Sequence, residues 1–395
     1  GDGRDGPLTL SANTVDSPID STCSGSAGAY TLAATNASFV PGQTILIHQT
    51  QGTNAGTWMK NRIVLYSGGS ITLAEPLNAT YTSGAQVLVL RQYTNVTVNP
   101  GATWTCKAWN GSVGGILAFL ASGTVSIGGL IDCAGGNSSY TTAVGLIAGA
   151  TKGGFRGGTG KRANSGQPYY AYQGEGSSGA GSASQAANGT GGGGAYKPNN
   201  TYTDGGGGGG GSHATAGGTG TDSSTADGAY PGNPATLITG NASLTSMTMG
   251  GGGGGSLYHR GTDATWKTYG GSSGGGICYI AAQNVVVTGG ISVNGGGGLV
   301  VNDSSHGGSG AGGSILLRLK TGTLGSGRLS AVGGDQNRSG GYMDGGAGGT
   351  GRIRIEYCES PTGSTNPTAS PQKLTCYVAE QTESAPYTFG RLNLP

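Results

Sequence analysis

Gly275-Gly276-Ile277-Cys278-Tyr279-Ile280, followed by Val285-Val286-Val287-Thr288-Gly289-Gly290-Ile291-Ser292-Val293 and Gly295, is the stretch on which the fold turns. It reads as a glycine pair, an apolar strand, a turn, a second strand and a closing glycine. Short runs of β-branched and aromatic residues bounded by glycine are strand signals, and these runs are too short for helices. The pattern recurs on both sides. Upstream, residues 114–119 lead to 123–131 and then Gly135-Gly136. Downstream, residues 312–318 lead to 325–332 and then Gly333-Gly334, and a half copy stands at 351–357. A unit of this size cannot bury its apolar stripe alone, so stacked β-coils are expected. The copies are separated in sequence, and the stretches between them are expected to complete the coils.

The largest of those stretches, 137–273, carries glycine runs at 191–194, 205–211 and 250–255. Glycine costs about 1 kcal/mol per residue against alanine in a helix, which excludes one here. A regular β-ladder is a poor alternative, because these positions have no side chains to pack. Polyproline-II-like strands packed backbone to backbone remain, since only glycine lets neighbouring backbones approach so closely. Tyr169, Tyr170, Tyr172, Tyr196, Tyr202, Tyr230, Tyr258, Trp266 and Tyr269 punctuate the region and could plate the faces of such a layer.

Working outward, residues 1–110 hold alternating or continuous apolar runs at 44–48, 63–66, 70–73 and 86–90, with turn residues between them. That predicts a β-domain with an ordinary core. From Glu359 the glycine content falls and prolines accumulate. The expected organisation is an N-terminal β-domain (1–110), a glycine-rich β-solenoid and polyproline-II region (111–358, with the insertion 137–273), and an extended tail (359–395). The tail is read as a cap on the solenoid or as a strand donated to the next subunit. The fold class is all-β, with little or no α-helix.

Composition narrows the function. Glycine supplies 87 of 395 residues, about three times the usual ~7%. Only 10% of residues are charged and the net charge is +2, so the basic stripe that a nucleic-acid binder needs is absent. No run approaches the ~20 apolar residues of a helical membrane span. A start at Gly1 without Met fits a processed, secreted form. Cys23, Cys106, Cys133, Cys278, Cys358 and Cys376 are even in number and lack C-x-x-C spacing. That favours disulfides over a zinc site, with Cys106–Cys133 and Cys358–Cys376 as local clasps. Sequons begin at Asn36, Asn78, Asn95, Asn110, Asn137, Asn188, Asn199, Asn241, Asn302 and Asn337, which makes a glycoprotein one expectation.

Few residues carry chemistry. His48, His213, His259 and His306 have no metal-ligand spacing. Residues 271–275 match G-x-S-x-G, but the strand-to-helix context of a nucleophile elbow is missing. The acidic residues form no cluster of the kind that glycan-cleaving β-helices use. The alternation Asp2-Gly3-Arg4-Asp5-Gly6 could wrap calcium with the oxygens of Asp2 and Asp5, and no other cofactor is expected. Tyr169, Tyr170, Tyr172 and Trp266 are the aromatic candidates for glycan contact.

Residues 39–52, 92–98 and 108–115, with Gly154-Phe155-Arg156-Gly157-Gly158 and Gln173-Gly174-Glu175-Gly176, form an ordered motif series spanning most of the chain. The series resembles glycine-rich secreted bacterial surface proteins of the adventurous-gliding and Chloroflexi types. That resemblance implies a cell-surface or extracellular location and repetitive β-structure, and it implies no catalytic residues. Many relatives continue into further domains, and an end at residue 395 suits a polymerising subunit. The reading is therefore a non-enzymatic subunit of an extracellular filament, sheath or surface layer, with copies of itself as partners. The alternatives are an adhesin that binds glycans or surfaces and, third, a carbohydrate-active β-helix enzyme.

Overall fold

The computed structural model describes residues 1–138, 152–162, 169–198, 205–222, 230–258, 267–298, 304–335 and 343–375. No helix occurs among them. The glycine-bounded units do stack. Strands Leu8–Leu10, Val96–Val98, Thr124–Ile127 and Ile277–Val287 pair in parallel, and the last pairs onward with Ser314–Ser330. A second wall runs through Thr14–Val15, Thr103–Thr105, Leu130–Asp132 and Gly290–Ser292. A third runs from Arg91–Tyr93 and Ile116–Ala121 to Arg352–Tyr357 and Ser370–Lys373.

Register places like on like. Leu10, Val98, Ile127 and Val287 form one column. Phe119, Ile280, Leu317 and Ile355 form another, and Trp104, Ile131, Ile291 and Leu329 a third. Nearly all of these side chains belong to one continuous buried core. Each fully buried aliphatic contributes about 1.5–3 kcal/mol of transfer free energy, so the columns supply the bulk of the solenoid's stability. Close approach of neighbouring backbone demands the glycine pairs that head the units. A Cβ on Gly275 would stand 1.8 Å from the Val293 carbonyl oxygen, and one on Gly313 1.8 Å from that of Gly276.

Residues 1–110 contribute to two sheets. Strands Asp20–Ser24, Thr31–Ala34, Ser70–Leu73, Trp58–Ser67, Thr44–Gln49 and Ala85–Val89 close an antiparallel barrel. The flanking strands Leu8–Leu10, Thr14–Val15 and those from Arg91 onward belong to the parallel stack. The barrel is thus inserted into the first coils of the solenoid. Burial explains why its strands differ in pattern. Thr31–Ala34 and Ser70–Leu73 alternate, with one face in the barrel core and one in solvent. Thr44–Gln49 is buried at every residue: Ile45 and Ile47 face the barrel core, while Leu46 packs against Ile116, Tyr279 and Leu316 of the solenoid side.

The glycine runs form a lattice of extended strands. Along 207–212, successive amides donate in rotation to three neighbours. Gly207 and Gly210 reach the carbonyls of Thr221 and Gly218, Gly208 and Gly211 those of His306 and Ser309, and Gly209 and Ser212 those of Gly193 and Thr190. The run 250–256 repeats the rule, with Gly250, Gly253 and Ser256 donating to Gly275, Ser272 and Tyr269. Gly251 and Gly254 reach Ser212 and Gly209, and Gly252 and Gly255 reach Glu175 and Tyr172. A period of three is that of polyproline II, whose amides are otherwise left to solvent. Here every one is paired with a neighbouring strand. The lattice extends past the expected 137–273 insertion, because residues 305–311 and 343–349 enter it from later coils.

Barrel and lattice meet through buried polar groups. Glu175, almost fully buried, accepts from Arg156 Nε at 2.8 Å and from Gln51 Nε2 at 3.0 Å. His48 Nε2 donates to the Met247 carbonyl at 2.7 Å, which leaves Nδ1 to accept from Thr50 Oγ1 at 2.9 Å. Burial lowers the His48 pKa to about 4, and His213, buried against the Gly312 carbonyl, is lowered to about 4 for the same reason. Both imidazoles are neutral struts at neutral pH. The tail begins inside the stack: Thr362–Asn366 pairs in parallel with Ser314–Ser330, and Ser370–Lys373 with Arg352–Tyr357. Residues 376–395 lie outside the described residues.

Candidate aromatic binding face

At the rim of the glycine lattice, strand Tyr169–Tyr170 pairs antiparallel with Tyr196–Lys197, which sets Tyr170 opposite Tyr196. Tyr196 is bridged in turn to Tyr230, each amide donating to the other's carbonyl. Residues directly opposite on antiparallel strands share a face, with Cβ atoms about 4.5–5.5 Å apart. The rings therefore stack. Tyr170 and Tyr196 have centroids 4.1 Å apart and planes at 15°, and Tyr196 and Tyr230 have centroids 6.0 Å apart at 17°. A side-chain hydrogen bond with Tyr170 raises the Tyr196 phenol above its ordinary value. Tyr230 ends the row and is 48% exposed. Ala171, Ala195 and Leu257 cluster with Tyr169, and the Ala195 amide ties the strand to the Gly255 carbonyl of the lattice. Beside Tyr230, Gln185 Nε2 donates to the Pro231 carbonyl at 3.0 Å.

Of the expected glycan contacts, Tyr170 alone lies in this ladder. Tyr169 faces the other way, with Lys161 Nζ 5.4 Å from its ring centre, and Tyr172 is half-buried and bridged to Ala183. Trp266 lies outside the described residues. Tyr196 and Tyr230 were foreseen only as plating. Each follows a stretch rich in glycine or small residues, yet no local signal shows that they meet Tyr170.

The remaining sequence candidates separate. Arg4 clasps the Asp2 carboxylate and lowers its pKa, whereas Asp5 Oδ2 accepts from the Gln92 amide at 2.5 Å and Oδ1 stands 3.7 Å from Arg91. The two carboxylates expected to share calcium thus have different, donor-bearing partners. Among the described residues, no group of three or more His, Cys, Asp or Glu is arranged to hold a metal.

The disulfide expectation is corrected for Cys23, Cys106, Cys133 and Cys278, which are free, buried thiols. Cys106 and Cys133 follow in-register strands of adjacent coils and touch as a hydrogen-bonded thiol pair inside the apolar core. They serve there as small apolar side chains. Burial pushes the Cys23 thiol up to about 12 and also raises Cys133 and Cys278. Cys358 is buried, and Cys376 lies outside the described residues.

Sequon residues Asn78, Asn95, Asn110, Asn137 and Asn241 are exposed, while Asn36 and Asn188 are half-buried with their amides donating to the Asp20 and Gly179 carbonyls. Asn199, Asn302 and Asn337 lie outside the described residues. A separate cavity of about 550 Å³ lies between the barrel rim and Gly111-Ser112, lined by Thr22, Ser24, Thr35, Gln51 and Ser83 and lacking any aromatic wall.

No protein-family model matches the sequence, and no curated protein does. Among solved structures, the chain is similar to the tailspike protein gp49 of Pseudomonas phage LKA1, at 10% identity over 93% of this chain and 69% of that one, with a TM-score of 0.18. It is also similar to the tailspike gp61 of Pseudomonas phage phi297, at 10% identity over 91% of this chain and 58% of that one, with a TM-score of 0.18.

Proposed function

We propose that this chain is a non-enzymatic, extracellular surface-binding protein, in which the solenoid and glycine lattice hold the Tyr170–Tyr196–Tyr230 row rigid for contact with glycans. The carrying observation is the stacked ladder itself, anchored strand by strand to the lattice. Rings fixed before binding lose little conformational freedom on contact, which is the main source of affinity in preorganised sites. Tyr230, the exposed ring at the end of the row, offers an apolar face and a hydroxyl, the pairing that a sugar ring with one apolar face and several hydroxyls requires, and Tyr196 stacks behind it. The extracellular placement rests on the sequence resemblance to glycine-rich surface proteins.

The test is a glycan array followed by titration. Saturable binding to at least one glycan class is expected, weakened at least tenfold in Tyr230→Ala and Tyr196→Ala with the thermal midpoint of Tyr230→Ala unchanged. Equal binding by wild type and both variants would remove the ladder from the function.

A second reading, a subunit of a filament or sheath built from copies of this chain, is favoured by a different observation. Leu8–Leu10 and Thr14–Val15 are the two end strands of the parallel stack, and Val15 is 65% exposed. A strand with one unpaired edge is a template for a second chain. Electron microscopy of purified protein would separate the readings: monodisperse particles at all concentrations would sink the filament.

A further inference from the structure

The cavity at the barrel rim arises from the way one strand changes partners. Strand Asp20–Ser24 pairs with Ala85–Val89 as far as Thr22, and from Cys23 onward it pairs with Thr31–Ala34 instead. The two partners separate at that crossing, and the small side chains of Ala34 and Ala85 leave the gap between them open. Floor and mouth differ in chemistry. Cys23, Ala34, Ala85 and Gln51 form the floor, each at most 7% exposed. The mouth carries the exposed hydroxyl residues Thr22, Ser24, Ser83 and Ser112.

Gln51 is the buried polar side chain among the lining residues, and its orientation is fixed. Its Nε2 donates to Glu175 Oε1 and to the Gly176 carbonyl, both at 3.0 Å. Both amide hydrogens are spent, so the other end of the group is the oxygen. Among the described residues, no protein donor reaches Gln51 Oε1, and the hydroxyls of Thr22, Ser24, Ser83 and Ser112 bond to no protein group either. The wall behind them is set before any ligand arrives. The Gln51 carbonyl accepts from Gln49 Nε2 at 2.6 Å, and its amide donates to the Gly84 carbonyl at 3.2 Å. Convergent polar atoms around a small apolar floor are the pattern of a ligand site.

We propose that this cavity binds a neutral sugar ring, with Gln51 Oε1 accepting from a ring hydroxyl, the alanines against the ring's less polar face and the mouth hydroxyls bonding the rest. The lining chemistry selects that class. No Asp, Glu, Lys, Arg or His lines the cavity, so an ionised ligand would lose hydration and gain no counter-charge. A purely apolar ligand would seal the Gln51 oxygen away from water without a donor. A neutral polyhydroxylated ring avoids both costs. The volume of about 550 Å³ falls within the range of about 300–1,000 Å³ usual for small-molecule pockets. The site shares no residue with the tyrosine ladder and does not depend on it.

Saturation-transfer NMR titration of the full chain with glucose, galactose, mannose and N-acetylglucosamine, and with glucuronate as the charged counterpart, tests this. Saturable binding of at least one neutral sugar is expected, with a dissociation constant on the order of 1 mM and glucuronate at least tenfold weaker. Ser112→Trp and Ser24→Trp fill the mouth from the loop and from the barrel, and each should weaken binding at least tenfold. Tyr230→Ala should leave it unchanged, which separates this site from the ladder. Absence of binding by all four neutral sugars, or equal binding in both tryptophan variants, would overturn the proposal. Loss of binding in Tyr230→Ala would overturn it as well, and glucuronate binding as tightly would overturn the neutral class.

Discussion

At Gly208 a single methyl group would stand 1.9 Å from the carbonyl oxygen of Gly254, and no rotamer can relieve a clash with backbone. The lattice therefore fixes residue identity by exclusion. Gly208→Ala is expected to cost at least about 3 kcal/mol, the upper range for overpacking, whereas Gly297→Ala, whose Cβ would meet nothing closer than 3.9 Å, should stay within about 1 kcal/mol. Thermal melts of the two variants check this. The buried histidines act at the same scale. The unfolded chain takes a proton on His48 and His213 near 6.5, but the fold refuses it until about 4. Stability should therefore fall as pH drops through that window, by about 3 kcal/mol for each group. Asp16 works in the opposite sense, since its raised carboxyl binds a proton in the fold first, and it offsets part of the loss. Urea midpoints at pH 7 and pH 4.5 should differ, with the lower value in acid. The glycines announced the lattice in the sequence. The histidines did not announce their role, because burial against carbonyls 199 and 99 residues away leaves no local mark.

Strands carry the next level. The solenoid units were legible because each repeats its own apolar spacing, and stacking only required them to find one another in order. Leu317, fully buried between Ile280 and Ile355, is a fair probe: Leu317→Ala should cost about 2–5 kcal/mol by denaturant titration. The barrel strands were legible as strands, but not as a closed barrel inserted between Val15 and Arg91. Periodicity reports which face is buried and never against what. The all-buried run at Thr44–Gln49 carried a hint, since a strand in a two-faced environment need not alternate. The tyrosine ladder lay below the threshold altogether. Its strands are two residues long or a single bridge, too short for any periodicity to develop. The cysteine pattern misled for a related reason: even counts describe oxidative pairing and small apolar filler equally well.

Across the described residues, the barrel is held to the solenoid by the core around Leu46 and to the lattice by the Gln51–Glu175 and His48–Met247 hydrogen bonds, while later coils of the solenoid run on into the lattice. Hydrogen exchange should reveal the lattice directly. Every amide along 207–212 and 250–256 donates to a neighbour, so consecutive amides should all be slow, unlike an edge strand, where alternate amides exchange. Fast exchange at every second position would contradict the arrangement. The rotation of donors through three neighbours has one more consequence. Removing a single residue from 207–212 turns every later amide by a third of a revolution and aims it at the wrong strand. Removing three consecutive residues restores the aim and only shortens the run. Insertions and deletions in the lattice should thus be tolerated in triplets and rejected singly, giving this part of the protein a reading frame written in its backbone.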